Sequence, residues 1–466
     1  MKKTSLILLT CLLSLTIYGQ DITGEWNGLL KVQGMQLRLV FNVTKNEKGI
    51  SSTMDSPDQG AKDIPTSTTS FENSILKITI LKAKIEYEGT LGKDNIIVGT
   101  FKQSGQSLPM NLSKEKIEKE KIERPQEPTK PYSYLSEDIT FENKKAGISL
   151  SGTLTLPKMQ GVFPVVILIS GSGPQNRDEE LLGHKPFLIL SDYLTKNGIA
   201  VLRYDDRGTA QSKGNFKTAT SADFATDVES AISYLKTRKE INKNKIGLVG
   251  HSEGGLIAPM IASRSKDVSF IVLLAGTGIQ GDQLLLLQQK LIGKVSGVSD
   301  EDLQKSEMTN REAFDIVKKS YNSEKLVIDL TQYFKKHLQD NPNVQKIDGM
   351  NDDDFVKLQV KELATPWMQF FIKYNPANTL EKVKCPVLAI NGEKDLQVPP
   401  KENLVAIKKA LTKGGNKKIS TLEFPNLNHL FQECKTGSPE EYAKIEETFS
   451  PKAMTEILKW IQMQTR

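Results

Sequence analysis

Gly250-His251-Ser252-Glu253-Gly254 constrains this chain more than any other stretch. Before it runs Lys245-Ile246-Gly247-Leu248-Val249, short and apolar, which reads as a buried strand. After it comes Gly255-Leu256-Ile257-Ala258-Pro259-Met260-Ile261-Ala262, small and apolar, which reads as a buried helix. A strand, a sharp turn and a helix around G-x-S-x-G make the setting of a nucleophile elbow. The turn holds its serine in a strained conformation, so the flanking positions must be glycine or very small. It also lifts Ser252 Oγ above the sheet edge and aims the following backbone N–H groups at a developing oxyanion.

A serine hydroxyl is a weak nucleophile at neutral pH and needs a base, and the base needs an acid to fix its tautomer. Behind an elbow of this kind the chain order is serine, then Asp or Glu, then His. Asn391-Gly392-Glu393-Lys394-Asp395 follows the apolar strand Pro386–Ile390 and offers Asp395 as the acid, with Glu393 as the alternative. The chain has four histidines, and His429 alone lies beyond Asp395, in a loop after the strand Ser420–Phe424. His251 sits inside the elbow, where it packs or lines the pocket. His337 falls in a later helical insertion, and His184 is read as packing under the oxyanion loop. For that loop, Ser170-Gly171-Ser172-Gly173 follows the strand ending at Ile169, and its glycines let backbone approach the substrate oxygen. The expected oxyanion donors are therefore the backbone N–H groups of Glu253 and Ser172. No metal-type cysteine/histidine cluster is present, and no cofactor is expected.

The rhythm around these motifs sets the architecture. Residues 21–113 alternate apolar and polar side chains, as in Leu37-Arg38-Leu39-Val40-Phe41-Asn42-Val43, and predict a small all-β barrel or sandwich with Trp26 plugging one end. Residues 114–136 mix both charges and then carry Pro125, Pro128 and Pro131, which describes an exposed linker. From residue 137 to 466 an entry hairpin gives way to alternating strands and helices, the pattern of an α/β, doubly wound, mostly parallel sheet. The rhythm stops between about 277 and 366, where segments such as Gln283–Ile292 and Asp353–Leu363 read as helices. An insertion that long, after a core strand, predicts a helical cap over the ligand end of the sheet.

The N-terminus adds an address. Lys2 and Lys3 precede the apolar run Leu6–Ile17, so residues 1–20 read as a signal peptide, and the chain as secreted or periplasmic. A lipid anchor at Cys11 is the lesser reading, because Thr10 replaces the small residue of a lipobox. The remaining cysteines, Cys385 and Cys434, flank the acid and base loops; a disulfide between them is conceivable, though isolated cysteines usually stay reduced. The formal charge of +6 is spread among 56 acids, with no basic stripe that would bind nucleic acid. No later run is apolar enough for a membrane span.

These residues resemble the α/β-hydrolase superfamily, in its serine aminopeptidase-like, dienelactone-hydrolase-like branch, from about residue 137 onward. Gly171-Ser172-Gly173-Pro174-Gln175-Asn176-Arg177-Asp178 is similar to that branch's oxyanion loop. Arg203-Tyr204-Asp205-Asp206-Arg207-Gly208 is similar to its R-Y-D-x-R-G loop, which buttresses the site. Thr209-Ala210-Gln211-Ser212 departs from the usual G-x-G-x-S but keeps the serine. Pro366-Trp367 and Cys385-Pro386-Val387-Leu388-Ala389-Ile390-Asn391-Gly392 fit as well. The resemblance implies a Ser252, Asp395, His429 triad, and a small β-domain preceding the hydrolase, as in some secreted bacterial proteins.

The expected activity is cleavage of small-molecule carboxylic esters through an acyl-enzyme. The alternative is a serine aminopeptidase or acyl-aminoacyl peptidase acting on short peptides, which would need a carboxylate for a free amine, such as Glu253 or Asp352–Asp354. A third reading makes the β-domain a glycan or envelope binder and the hydrolase a scaffold. The oligomeric state is not legible in this sequence.

Overall fold

Alternating burial organises the first half of the chain and continuous burial the second. The computed structural model describes residues 21–466 except 33–34, 48, 104–105, 120–123, 343, 345 and 347–349. The expected signal peptide and Cys11 lie outside the described residues. The chain divides into two compact units, one built mainly from residues before 120 and the other mainly from those after it.

The first unit is one antiparallel sheet. Its strands are β1 (Gly24–Val32), β2 (Met35–Asn46), β3 (Gly49–Ser56), β4 (Ala61–Pro65), β5 (Thr68–Glu72), β6 (Ile75–Ile80), β7 (Ile85–Leu91), β8 (Ile96–Gln103), β9 (Gln106–Pro109) and β10 (Leu112–Ser113). They follow the order β4-β3-β2-β1-β10-β8-β7-β6-β5, with β9 paired to β8. Alternate residues point inward, as the sequence period of two requires: in β7, Ile85, Tyr87 and Leu91 are buried while Glu86, Glu88 and Thr90 face water. The sheet curls until β3 meets β5, where Ser52 Oγ lies 2.7 Å from Thr69 Oγ1. The result is a half-barrel rather than two packed sheets. Trp26 is fully buried in its core and donates Nε1–H to Ile22 O at 2.7 Å.

The second unit is a sheet of eight strands: β11 (Leu135–Asn143), β12 (Ile148–Leu156), β13 (Phe163–Ile169), β14 (Ala200–Tyr204), β15 (Ile241–His251), β16 (Phe270–Leu274), β17 (Val387–Gly392) and β18 (Ile419–Phe424). Their order is β11-β12-β14-β13-β15-β16-β17-β18. The first hairpin is antiparallel, and everything from β14 to β18 is parallel. Strands buried on both faces read as unbroken apolar runs, which is why β13 and β15 were visible in the sequence. The helices α1 (Pro186–Lys196) and, at the C-terminus, α12 (Pro451–Thr465) cover one face through Phe187, Leu190, Ile457 and Ile461. The other face is covered by α2 (Ser221–Leu235), α3 (Glu253–Ala262) and α10 (Pro400–Lys413) through Val228, Leu256 and Ile407.

The chain runs from β13 to β14 on one side and later returns to β15 on the other, so the winding reverses between β13 and β15. Loops at the carboxyl ends of these two strands diverge and leave a crevice, the usual ligand position in such sheets. Between β16 and β17 lie α4 (Gly281–Val295), α5 (Asp300–Lys319), α6 (Ser323–Asp340), α7 (Asp352–Leu363), α8 (Pro366–Lys373) and α9 (Ala377–Leu380). This is the α/β-hydrolase architecture with a helical cap. Leu286, Phe314, Leu330, Phe334, Val360 and Ile372 give the cap its own apolar cluster. The stretch after the first unit is anchored at Arg124, which donates to Ala443 O and Ile445 O at 3.2 and 2.5 Å.

Candidate active site

Ser252 caps α3 at φ 52 and ψ −113, a backbone state that a non-glycine residue adopts only under strain. Its neighbours show how closely the backbone packs around it. A Cβ at Gly250 would collide with the backbone of Gly254, and one at Gly254 with the carbonyl of Ile169. The turn is thus as tight as the sequence implied. At the start of α3 the Gly255 N–H returns to Ser252 O at 2.9 Å.

The loop after β17 carries Asp395, and the loop after β18 carries His429. They meet: His429 Nδ1 lies 2.8 Å from Asp395 Oδ2, and both side chains are buried. Asp395 Oδ1 accepts the backbone N–H groups of Gln397 and Val398 at 2.9 and 2.8 Å. An acceptor held this way fixes Nδ1–H on the imidazole and leaves Nε2 free to take a proton. Glu393, the alternative acid, turns aside and accepts the N–H of Asn426 at 2.9 Å. Ser252 and His429 line one cavity, together with Ser172 and Glu253.

The glycine loop after β13 is pressed against the serine: a Cβ at Gly171 would sit 3.2 Å from Ser252 Cβ. Asp206 holds this loop by accepting Ser170 Oγ–H and Gln175 N–H at 2.8 and 3.0 Å. Asp205 accepts Arg177 N–H at 2.8 Å and its guanidinium at 2.8 Å. Ser212 Oγ donates to Asp205 O at 2.7 Å, which gives that retained serine its purpose. The segment 203–208 therefore braces the loop, as its resemblance implied.

Residues 187–433 match the family described as serine aminopeptidase, S33, which is more than half of the chain. The chain belongs to this family of α/β hydrolases. The hydrolase is also 27% identical over 339 residues to "Esterase EstD" of Thermotoga maritima, covering 71% of this chain and 68% of the relative. An uncharacterised 31.7 kDa protein of Escherichia coli is 23% identical over 57% of this chain and 83% of its own. The solved esterase Pf2001 of Pyrococcus furiosus has a TM-score of 0.44 at 16% identity, covering 72% of this chain and 92% of that one.

The cavity of the hydrolase holds about 210 Å³. Leu284, Leu285 and Gln288 of α4 and Trp367 and Phe371 of α8 form its cap side. Glu253 links cap to elbow. Its Oε1 accepts Ser221 Oγ–H at 2.6 Å and Trp367 Nε1–H at 2.8 Å. Burial pushes its carboxyl above the usual range, and donors on Ser221, Trp367 and Ser172 partly offset this. Asp352–Asp354, the other acids considered for amine binding, do not line the cavity.

Three histidines fall outside the Asp395 pairing. His337 lies in α6 of the cap. His184 pairs its main chain with Leu181 of the loop after β13 and turns its side chain away, with Nε2 2.8 Å from Tyr442 O and Nδ1 2.9 Å from Thr448 Oγ1. His251 lines the cavity and makes two buried bonds, to Glu179 Oε1 at 2.9 Å and His429 O at 3.0 Å. Glu179 escaped the sequence reading. Its sole advance sign was a carboxylate run, Asp178-Glu179-Glu180, close behind the glycine loop. Cys385 and Cys434 are both free thiols, and burial pushes Cys385 up to about 12.

Proposed function

We propose that this protein is an exported hydrolase of small carboxylic esters that works through an acyl-Ser252 intermediate. Ser252 Oγ attacks the ester carbonyl carbon as its proton passes to His429 Nε2. Asp395 stabilises the imidazolium that results. The negative charge on the carbonyl oxygen is met by the backbone N–H groups of Glu253 and Ser172. The C–O bond to the alcohol then breaks, and the alkoxide leaves with the proton from His429. Water attacks the acyl ester by the same route and regenerates the serine.

One observation carries this reading: the 2.8 Å contact between His429 and Asp395, beside a cavity that His429 shares with the elbow serine. The relationship to an esterase from Thermotoga maritima supports the ester preference. A peptidase that grips a free amine needs an uncommitted carboxylate. Of the carboxylates lining this cavity, Glu253 accepts bonds from Ser221 and Trp367 and Glu179 Oε1 from Gly171 and His251, but Glu179 Oε2 is buried without a partner among the described residues, so the relationship to an esterase, and not the carboxylates, carries the ester preference. A cavity of about 210 Å³ has room for a short acyl group. Export rests on Lys2, Lys3 and the apolar run that follows, and cell fractionation tests it. Among the described residues no helix is long and apolar enough to cross a membrane.

Rates on nitrophenyl esters of increasing acyl length, set beside aminoacyl anilides, test the activity. Acetyl and butyryl esters should turn over fastest, and Ser252→Ala should abolish turnover. Faster cleavage of anilides would overturn the ester preference, and an active Ser252→Ala variant would remove the serine from the mechanism.

A further inference from the structure

We propose that Glu179 and His251 are positioning residues, a second His–carboxylate pair that keeps the base loop and the oxyanion loop in register around Ser252. The proposal rests on the ester-hydrolase reading above. Three loops that are distant in sequence meet at this pair. Gly171, after β13, donates its N–H to Glu179 Oε1 at 2.6 Å. His251, at the end of β15, places Nδ1 at 2.9 Å from the same oxygen. Its Nε2 reaches the carbonyl of His429, after β18, at 3.0 Å. One carboxylate oxygen thus ties the loop that would bind the oxyanion to the main chain of the residue that would move the proton.

The bonding pattern sets the charge of the pair. A carbonyl accepts and cannot donate, so His251 Nε2 carries a hydrogen. Nδ1 faces an oxygen that also takes an N–H from Gly171, which favours a carboxylate there and a second hydrogen on the ring. Burial works against an imidazolium at His251, and the Glu179 carboxylate more than offsets it, so the ring is held above its usual value. Asp395 adds to the negative field, and Asp206 and Glu253 belong to the same buried group of charges. The His251 and His429 rings lie 4.9 Å apart. The side chain of Glu179 reaches its place from a backbone at φ 50, a strained state that points to a required position.

The test uses the full-length protein and a short-chain nitrophenyl ester. Glu179→Gln keeps the shape of the side chain and removes the charge. The buried His251 then loses the carboxylate that holds it above its usual value, and the tie between the glycine loop and the main chain of His429 slackens. The kcat should fall about tenfold or more, with KM within about threefold, at temperatures where the variant is as folded as the parent. Glu179→Ala should lose more kcat than Glu179→Gln. A kcat within about twofold of the parent in Glu179→Gln would overturn the proposal, as would a loss confined to KM. If Glu179→Ala fails to fold, the isosteric variant alone decides. Ser252→Ala separates the two levels: an inactive Ser252→Ala beside an unaffected Glu179→Gln sinks the positioning role and spares the ester reading. An active Ser252→Ala sinks both.

Discussion

At the scale of single residues, the acid of the proposed triad makes the sharpest demand. Asp395→Asn would keep the shape but offer an N–H where Nδ1–H of His429 needs an acceptor, turning the imidazole to the wrong tautomer. The kcat should fall by about 10³–10⁴-fold with little change in KM, measured on the same short esters. His184 makes a different prediction, about stability. It is fully buried and burial lowers its pKa from 6.5 to about 4. Between these values the unfolded chain binds a proton that the folded chain refuses, so stability falls as the pH drops from 6.5 toward 4. The full effect is about 3 kcal/mol. Thermal melts across that range should show the loss, and His184→Gln should flatten it. Ser252, Asp395 and His429 could be named from the sequence because chain order and histidine scarcity left few choices. Glu179 could not, because its partners Gly171, His251 and, through it, His429 are joined by folding and by no spacing rule.

At the scale of elements, strands β13 to β18 were legible because burial on both faces leaves continuous apolar runs bounded by polar loops. The cap was legible as helical but not in detail. Helices α5 and α6 bury a single stripe each, Leu303, Ala313, Phe314 and Val317 in one and Leu326, Leu330, Phe334 and Leu338 in the other, among many charges. Helix α8 matters more than its eight residues suggest. Its Trp367 stacks on Phe371 with centroids 5.1 Å apart and donates to Glu253. Trp367→Phe keeps a ring there and removes the donor. A buried carboxyl then loses one of its bonds, at a cost of about 1–3 kcal/mol. We expect KM for short esters to rise several-fold with a smaller change in kcat, because the cap side of the cavity loosens while the elbow stays in place. Steady-state kinetics would show the split, and an unchanged KM would mean that Glu253 does not tether the cap.

At the scale of the whole molecule, the two units have separate cores, and every residue lining the Ser252 cavity belongs to the second. Trp26→Ala in the full-length protein should cost the first unit about 3–5 kcal/mol. Two-step denaturation followed by fluorescence should reveal it, with the ester rate within about twofold of the parent; a matching loss of activity would give the half-barrel a part in turnover. The cap has a comparable independence. Leu286 and Ile372 face its own apolar cluster, while Leu284 and Phe371, on the same two helices, pack toward the sheet. Among the described residues, α4 and α8 are the cap helices with buried side chains in both clusters. The outer helices α5, α6 and α7 line no part of the Ser252 cavity, so substitutions can accumulate in that roof without reaching the proposed substrate, whereas any change of acyl preference has to be written into the two beams beneath it.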